Sequence, residues 1–104
     1  MPCSRDAGQK LGYIDSVQFI KQPKRIVLYS RPMCGWCIDA KEWLTAQGLD
    51  FTVHNVGRDT EARQRAITLS GQTLVPVIEV DEHVLGDFDV EQLQDFLQRH
   101  GYLS

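Results

Sequence analysis

Ile26-Val27-Leu28-Tyr29-Ser30 forms a near-continuous apolar run between the basic step Lys24-Arg25 and the pair Arg31-Pro32. Such a run is what a central strand covered on both faces requires, because neither face alternates with polar residues. Covering both faces calls for helices above and below the sheet. The segments that follow supply them, and together they suggest a small layered α/β fold.

Ala40, Trp43, Leu44 and Ala46 have helical spacing within 37–47, and Gly48 is placed to end that helix as its C′ residue. Phe51-Thr52-Val53-His54-Asn55-Val56 alternates and reads as a second strand. Asp59 or Thr60 is placed to cap a helix carrying Ala62, Ala66, Ile67 and Leu69, which stops at Ser70-Gly71. Val77–Val80 and His83–Leu85 flank Asp81-Glu82 as a short hairpin. Asp89 and Gln92 have the spacing of a capping box and open a helix with Val90, Leu93, Phe96 and Leu97, ending near His100-Gly101. The expected order is β-α-β-α-β-β-α, with no internal repeat.

Residues 1–24 differ in being polar and of mixed charge, and are expected to form an N-terminal extension to a domain spanning 25–104. Leu11, Ile14, Val17 and Phe19 or Ile20 fit one face of a short docked helix, and a flexible arm fits equally well. At 104 residues the chain is one domain with enough length to bury a core unaided. A net charge of −3 gives no general attraction to nucleic acid or acidic lipid. No apolar stretch approaches the roughly 20 residues of a membrane span, and 1–11 is too polar for a signal peptide, so a cytoplasmic setting is expected.

Directly after the apolar run comes Cys34-Gly35-Trp36-Cys37. As a zinc half-site it lacks two further ligands, since His54, His83 and His100 are scattered. A chance pair of cysteines is a second reading. A redox dithiol is favoured by the context, because a strand–helix corner offers unpaired backbone N–H groups to the first sulfur and so favours its thiolate. The second sulfur is near enough to close a disulfide. Arg31, three residues earlier, is placed to favour the Cys34 thiolate by direct attraction. Met33 and Phe88 read as packing residues, and Cys3 as an unpaired thiol. Spacing alone predicts a trans Val75–Pro76 bond.

Three stretches together resemble the signature segments of glutaredoxins: 29–37 with the CxxC, Ser70 to Pro76, and Gly86-Asp87-Phe88-Asp89. The resemblance covers about 25–101 and implies a thioredoxin-like fold with a four-stranded mixed sheet flanked by helices. It implies a glutathione-dependent thiol–disulfide oxidoreductase, with Cys34 as nucleophile and Cys37 as resolving thiol, acting on oxidised or glutathionylated proteins as a monomer. Arg31, Trp36, Arg63, Leu74, Val75, Pro76, Phe88 and Asp89 fall where the family holds glutathione. In that scheme Arg63 takes the glycine carboxylate and Val75, before a cis-proline at Pro76, pairs with the cysteinyl backbone. The Phe88 and Asp89 N–H groups and the Asp89 carboxylate take the γ-glutamyl end.

Four positions depart from the family pattern. Gly35 and Trp36 replace a common proline and tyrosine, Leu74 a threonine and Asp87 a glycine. Asp87 brings negative charge near the expected glutathione carboxylate and supports a rival reading, an electron donor reduced by thioredoxin reductase. Gly35 supports another, a dimer holding a [2Fe–2S] cluster through Cys34 of each chain and two glutathiones.

Overall fold

The computed structural model describes residues 18–103. Its elements run β1 (Ile26–Ser30), α1 (Gly35–Ala46), β2 (Thr52–Asn55), α2 (Thr60–Ser70), β3 (Val77–Val80), β4 (His83–Gly86) and α3 (Val90–Arg99). Element order and type match the sequence reading. The differences lie at ends: α1 begins at Gly35, two residues earlier than expected, and the second strand is trimmed to 52–55.

The four strands form one sheet in the order β2-β1-β3-β4. β1 pairs with β2 in parallel, with Val27 opposite Thr52, and α1 is the crossover that parallel pairing demands. β1 pairs antiparallel with β3, and β3 with β4. Every residue of β1 and β3 is buried, as the apolar run requires of a central strand.

The two-residue period of the strands sorts their side chains into two cores. Ile26, Leu28, Ile78 and Val80 meet Ala40, Trp43 and Leu44 of α1 and Val90, Leu93, Phe96 and Leu97 of α3. Val27, Tyr29 and Val77 meet Ala62 and Ala66 of α2 on the opposite face. Burying each large aliphatic side chain contributes about 1.5–3 kcal/mol, so the sandwich of helices around β1 and β3 is the main source of stability.

One carboxylate lies inside the second core. Glu79 is buried on β3, where it accepts a hydrogen bond from the Tyr29 hydroxyl and ion-pairs with Arg25 and Arg65, each at 3.1 Å. Burial pushes its carboxyl up, but the bonds from Tyr29, Arg65 and Arg25 outweigh this and hold it below the usual range.

Phe19 joins the domain through a bridge to Leu103 and a tilted ring contact with Trp43, while Ile20 faces solvent. The helix expected around Leu11, Ile14 and Val17, and Cys3, lie outside the described residues.

Candidate active site

β1 ends at Ser30, and the chain turns through Arg31-Pro32-Met33 into α1. Met33 takes φ +63, a left-handed conformation that costs an L-residue energy, and its side chain is 96% exposed. This corrects its expected packing role: the turn holds it away from the core.

Cys34 is the N-cap of α1. Its backbone is extended (φ −93, ψ 111), and its Sγ accepts a hydrogen bond from the Cys37 N–H at 3.3 Å. That contact fills the place of a capping oxygen and directs one of the helix's unpaired N–H groups at sulfur. Cys34 is partly exposed, whereas Cys37, one turn along, is fully buried. Burial first, and then a hydrogen bond with Cys34, push the Cys37 thiol up to about 12, while the Arg31 backbone pulls the other way. The two sulfurs therefore have different chemistry: the first meets solvent at a helix terminus, and the second is held protonated in the core.

Arg31 lies in this turn and is exposed, but it makes no hydrogen bond to Cys34 among the described residues. The interaction seen at Cys34 Sγ comes from the Cys37 backbone. Trp36 sits in the first turn of α1, 51% exposed. Gly35 has no atom within 4 Å of where a Cβ would stand, so packing does not dictate glycine there.

The loop before β3 approaches the same end of the sheet. Its Val75–Pro76 bond is cis, not the trans form that spacing alone predicts and in line with the resemblance. Pro76 is buried, Val75 is partly buried and Leu74 is 58% exposed. Since Val77 pairs with Tyr29, Pro76 lies beside the end of β1 that leads to Cys34. The Asp87 N–H donates to the Pro76 carbonyl at 2.7 Å, which ties the segment entering α3 to this loop.

Phe88 is fully buried in the core beneath α3, as a packing residue should be. Asp89 caps α3: its Oδ1 accepts from Gln92 N–H at 2.8 Å, while Gln92 Oε1 accepts from Asp89 N–H at 3.0 Å. Both halves of the capping box are closed. The Asp89 N–H and carboxylate assigned by resemblance to a ligand are thus engaged within the chain. Asp87, in the place of a common glycine, adopts φ +53.

Arg63 lies on the exposed face of α2, without a side-chain hydrogen bond or ion pair among the described residues. Its neighbour Arg65 is the one turned to the sheet, toward Glu79. The sequence reading missed Gln72, whose amide bonds Leu74 through both its N–H and its carbonyl. Its signal was a glutamine two residues before the loop edge, which only the fold makes meaningful. Among the described residues no group of three or more His, Cys, Asp or Glu side chains is placed to hold a metal ion, and no helix is long and apolar enough to cross a membrane.

Comparison with known proteins agrees with this geometry. The glutaredoxin family model matches residues 26–85, more than half of the chain and including the CxxC, the cis-proline loop and the hairpin. A glutaredoxin-like 8.6 kDa protein from the rubredoxin operon of Clostridium pasteurianum is 34% identical over 74 residues, 71% of this chain and 99% of that one. A glutaredoxin of Pseudomonas aeruginosa is 34% identical over 70 residues, 66% of this chain and 83% of its own. Among solved structures, the glutaredoxin-like NrdH-redoxin of Escherichia coli superposes with a TM-score of 0.59 at 29% identity, covering 72% of this chain and 92% of that one. The mixed sheet with flanking helices is the thioredoxin-like fold of these neighbours. With the dithiol on its strand–helix corner inside the matched segment, the chain belongs to the glutaredoxin family.

Proposed function

We propose that the protein is a thiol–disulfide oxidoreductase that reduces protein disulfides and glutathione mixed disulfides with Cys34 as nucleophile and Cys37 as resolving thiol. The observation that carries this reading is the asymmetry of the pair: a partly exposed Cys34 sulfur at a helix N-cap, accepting the Cys37 N–H, beside a buried Cys37. Cys34 thiolate attacks one sulfur of the target. The target S–S bond breaks, its other sulfur leaves as a thiolate that takes a proton from water, and a mixed disulfide joins target and Cys34. Cys37 then gives up its proton and attacks Cys34 Sγ. The remaining target sulfur leaves as a thiol, and the Cys34–Cys37 disulfide holds the oxidising equivalent of the two electrons delivered. A cytoplasmic setting, where dithiols are kept reduced, suits such a cycle.

For the reductant, glutathione is the first reading. Arg31, Trp36, Arg63, Leu74, Val75, Pro76, Phe88 and Asp89 are its contact residues in this scheme, and two glutathiones would supply one electron each, leaving as their disulfide. A specific observation favours a second reading, reduction by a flavoprotein of the thioredoxin reductase type. The closed Asp89–Gln92 box occupies an N–H that glutathione would need, and Asp87 adds negative charge beside it. The E. coli NrdH-redoxin, which shares this fold at 29% identity, is described as having a thioredoxin-like activity profile. A [2Fe–2S] cluster does not fit a single chain, because Cys34 is the one exposed thiol of the site. It would need Cys34 of two chains and two glutathiones.

Parallel assays with glutathione plus glutathione reductase, and with thioredoxin reductase, test the scheme. Turnover in either system, abolished in Cys34→Ser, is the expected result. Equal activity of Cys34→Ser and wild type would remove the oxidoreductase reading, and the system that supports turnover identifies the reductant.

A further inference from the structure

We propose that Gln72 is a positioning residue that acts as a surrogate strand for the loop bearing Val75 and Pro76, and thereby selects extended, peptide-like disulfides as substrates. This rests on the oxidoreductase reading above and adds to it the shape of the substrate.

In an extended segment the main-chain groups of successive residues point to opposite edges. Leu74 uses its edge inside the chain: its N–H donates to Gln72 Oε1, and its carbonyl accepts from Gln72 Nε2 at 3.0 Å. A primary amide has one donor side and one acceptor side, so it reproduces the pair of bonds that a neighbouring strand would make. The amide is itself fixed, since Nε2 also reaches Ser70 Oγ at 3.2 Å. Ser70 Oγ in turn accepts from Gln72 N–H at 3.4 Å and is itself fixed by donating to the Ala66 carbonyl at 2.7 Å.

On the opposite edge, Val75 N–H and carbonyl have no hydrogen-bond partner among the described residues. On the β3 side, Pro76 is anchored by Asp87 N–H at 2.7 Å. The segment is therefore held from the Leu74 edge and from Pro76, and Val75 offers its main chain to an incoming extended backbone, as strand addition requires. Gly86 belongs to the same device: a Cβ there would stand 2.8 Å from Gln72 Nε2 and 3.0 Å from Ser70 Cβ. Only a residue without a side chain leaves the amide in place.

A substrate that offers a peptide backbone next to its disulfide gains from the fixed edge, and a small non-peptide disulfide does not. The test compares a glutathionylated peptide with 2-hydroxyethyl disulfide in wild type, Gln72→Ala and Gly86→Ala. KM for the peptide is expected to rise about tenfold in both variants with kcat changed less than twofold, and the peptide's preference over the small disulfide to fall by the same factor. Gln72→Glu keeps the acceptor for Leu74 N–H and loses the donor, so it falls between. As a readout independent of turnover, Cys37→Ser is trapped with a cysteine peptide as the mixed disulfide and amide hydrogen exchange is followed. Val75 N–H is expected to be protected with Gln72 present and to lose that protection in the Gln72→Ala background. Peptide uptake with the same KM and the same Val75 protection in Gln72→Ala would overturn the clamp while leaving the oxidoreductase reading intact. Failure of Cys37→Ser to take up any peptide would overturn both.

Discussion

Cys37 N–H donates to Cys34 Sγ at 3.3 Å, so the backbone of Cys37 reaches the first sulfur while its own thiol stays buried. The same helical turn thus leaves one sulfur partly exposed and encloses the other. Burial, with the Cys34 bond added, holds Cys37 near a pKa of about 12. At pH 7.5, iodoacetamide should label Cys34 and leave Cys37 almost untouched. In Cys34→Ser, labelling of Cys37 should stay slow until the pH passes roughly 10–11, as expected for a raised thiol. Mass spectrometry of the labelled peptides reads both; rapid labelling of Cys37 at neutral pH would contradict the burial argument.

Gly35 is the first residue of α1, follows an extended Cys34 and has open space around its Cβ position. All three features suit proline, which prefers the first helical position and an extended residue before it. Gly35→Pro should raise stability by about 1 kcal/mol in urea unfolding, through lower entropy of the unfolded chain. The bond from Cys37 N–H to Cys34 does not involve Gly35, so Cys34 labelling should keep its rate.

Gln92 closes the α3 capping box over Asp89 N–H. Gln92→Ala should lower KM for glutathione several-fold by freeing that N–H, with a loss of about 0.5–1 kcal/mol of stability for half a cap. Asp87→Gly removes a charge and relieves a positive φ of +53 at a position that favours glycine. It should lower the glutathione KM as well, and change stability by no more than about 1 kcal/mol, because the added freedom of the unfolded chain offsets the relief. Unchanged KM in both variants would count against the closed cap as the obstacle to glutathione.

Glu79 holds Tyr29, Arg25 and Arg65 together from a buried position. Glu79→Ala should cost about 3 kcal/mol, the low end for a broken buried pair, because both arginines remain half solvated. The folded-state pKa of Glu79 is lowered, so its contribution is fully present above the unfolded carboxyl's range near 4.5 and is lost as pH falls through the folded value. Acid unfolding of wild type should therefore show a step that Glu79→Gln lacks.

His83 and His100 stack at 3.9 Å between ring centroids, with Phe96 against His100 and Glu82 3.6 Å from His83. Burial, then His83 and Arg99, lowers the pKa of His100 below 6.5, with Glu82 opposing. A lowered histidine stabilises the fold above its unfolded pKa, and that stability is lost as pH falls through the folded value. The melting temperature should drop between pH 7.5 and 5.5, and less so in His100→Phe, which keeps an aromatic ring in the stack without the charge.

The order of elements, the central place of β1, the cap at Asp89 and the Cys34–Cys37 pair were legible in the sequence, because each is carried by local spacing; of Asp59 and Thr60, the structure makes Asp59 the cap of α2. A five-residue apolar run, an i to i+3 box and two cysteines one helical turn apart need no distant partner to be recognised. The tertiary structure decided what local spacing cannot encode. It buried Cys37 and left Cys34 at the surface, made the Val75–Pro76 bond cis, and turned Arg65 toward Glu79 with Arg63 left in solvent. It closed Gln92 on the very N–H that the resemblance had given to a ligand, and set Gln72 against Leu74. Such outcomes depend on which face of an element meets which neighbour and on which backbone groups remain unpaired once the sheet has formed. The sequence by itself determined that a dithiol would stand on a strand–helix corner, and packing decided which sulfur meets solvent and which edge beside it was left open.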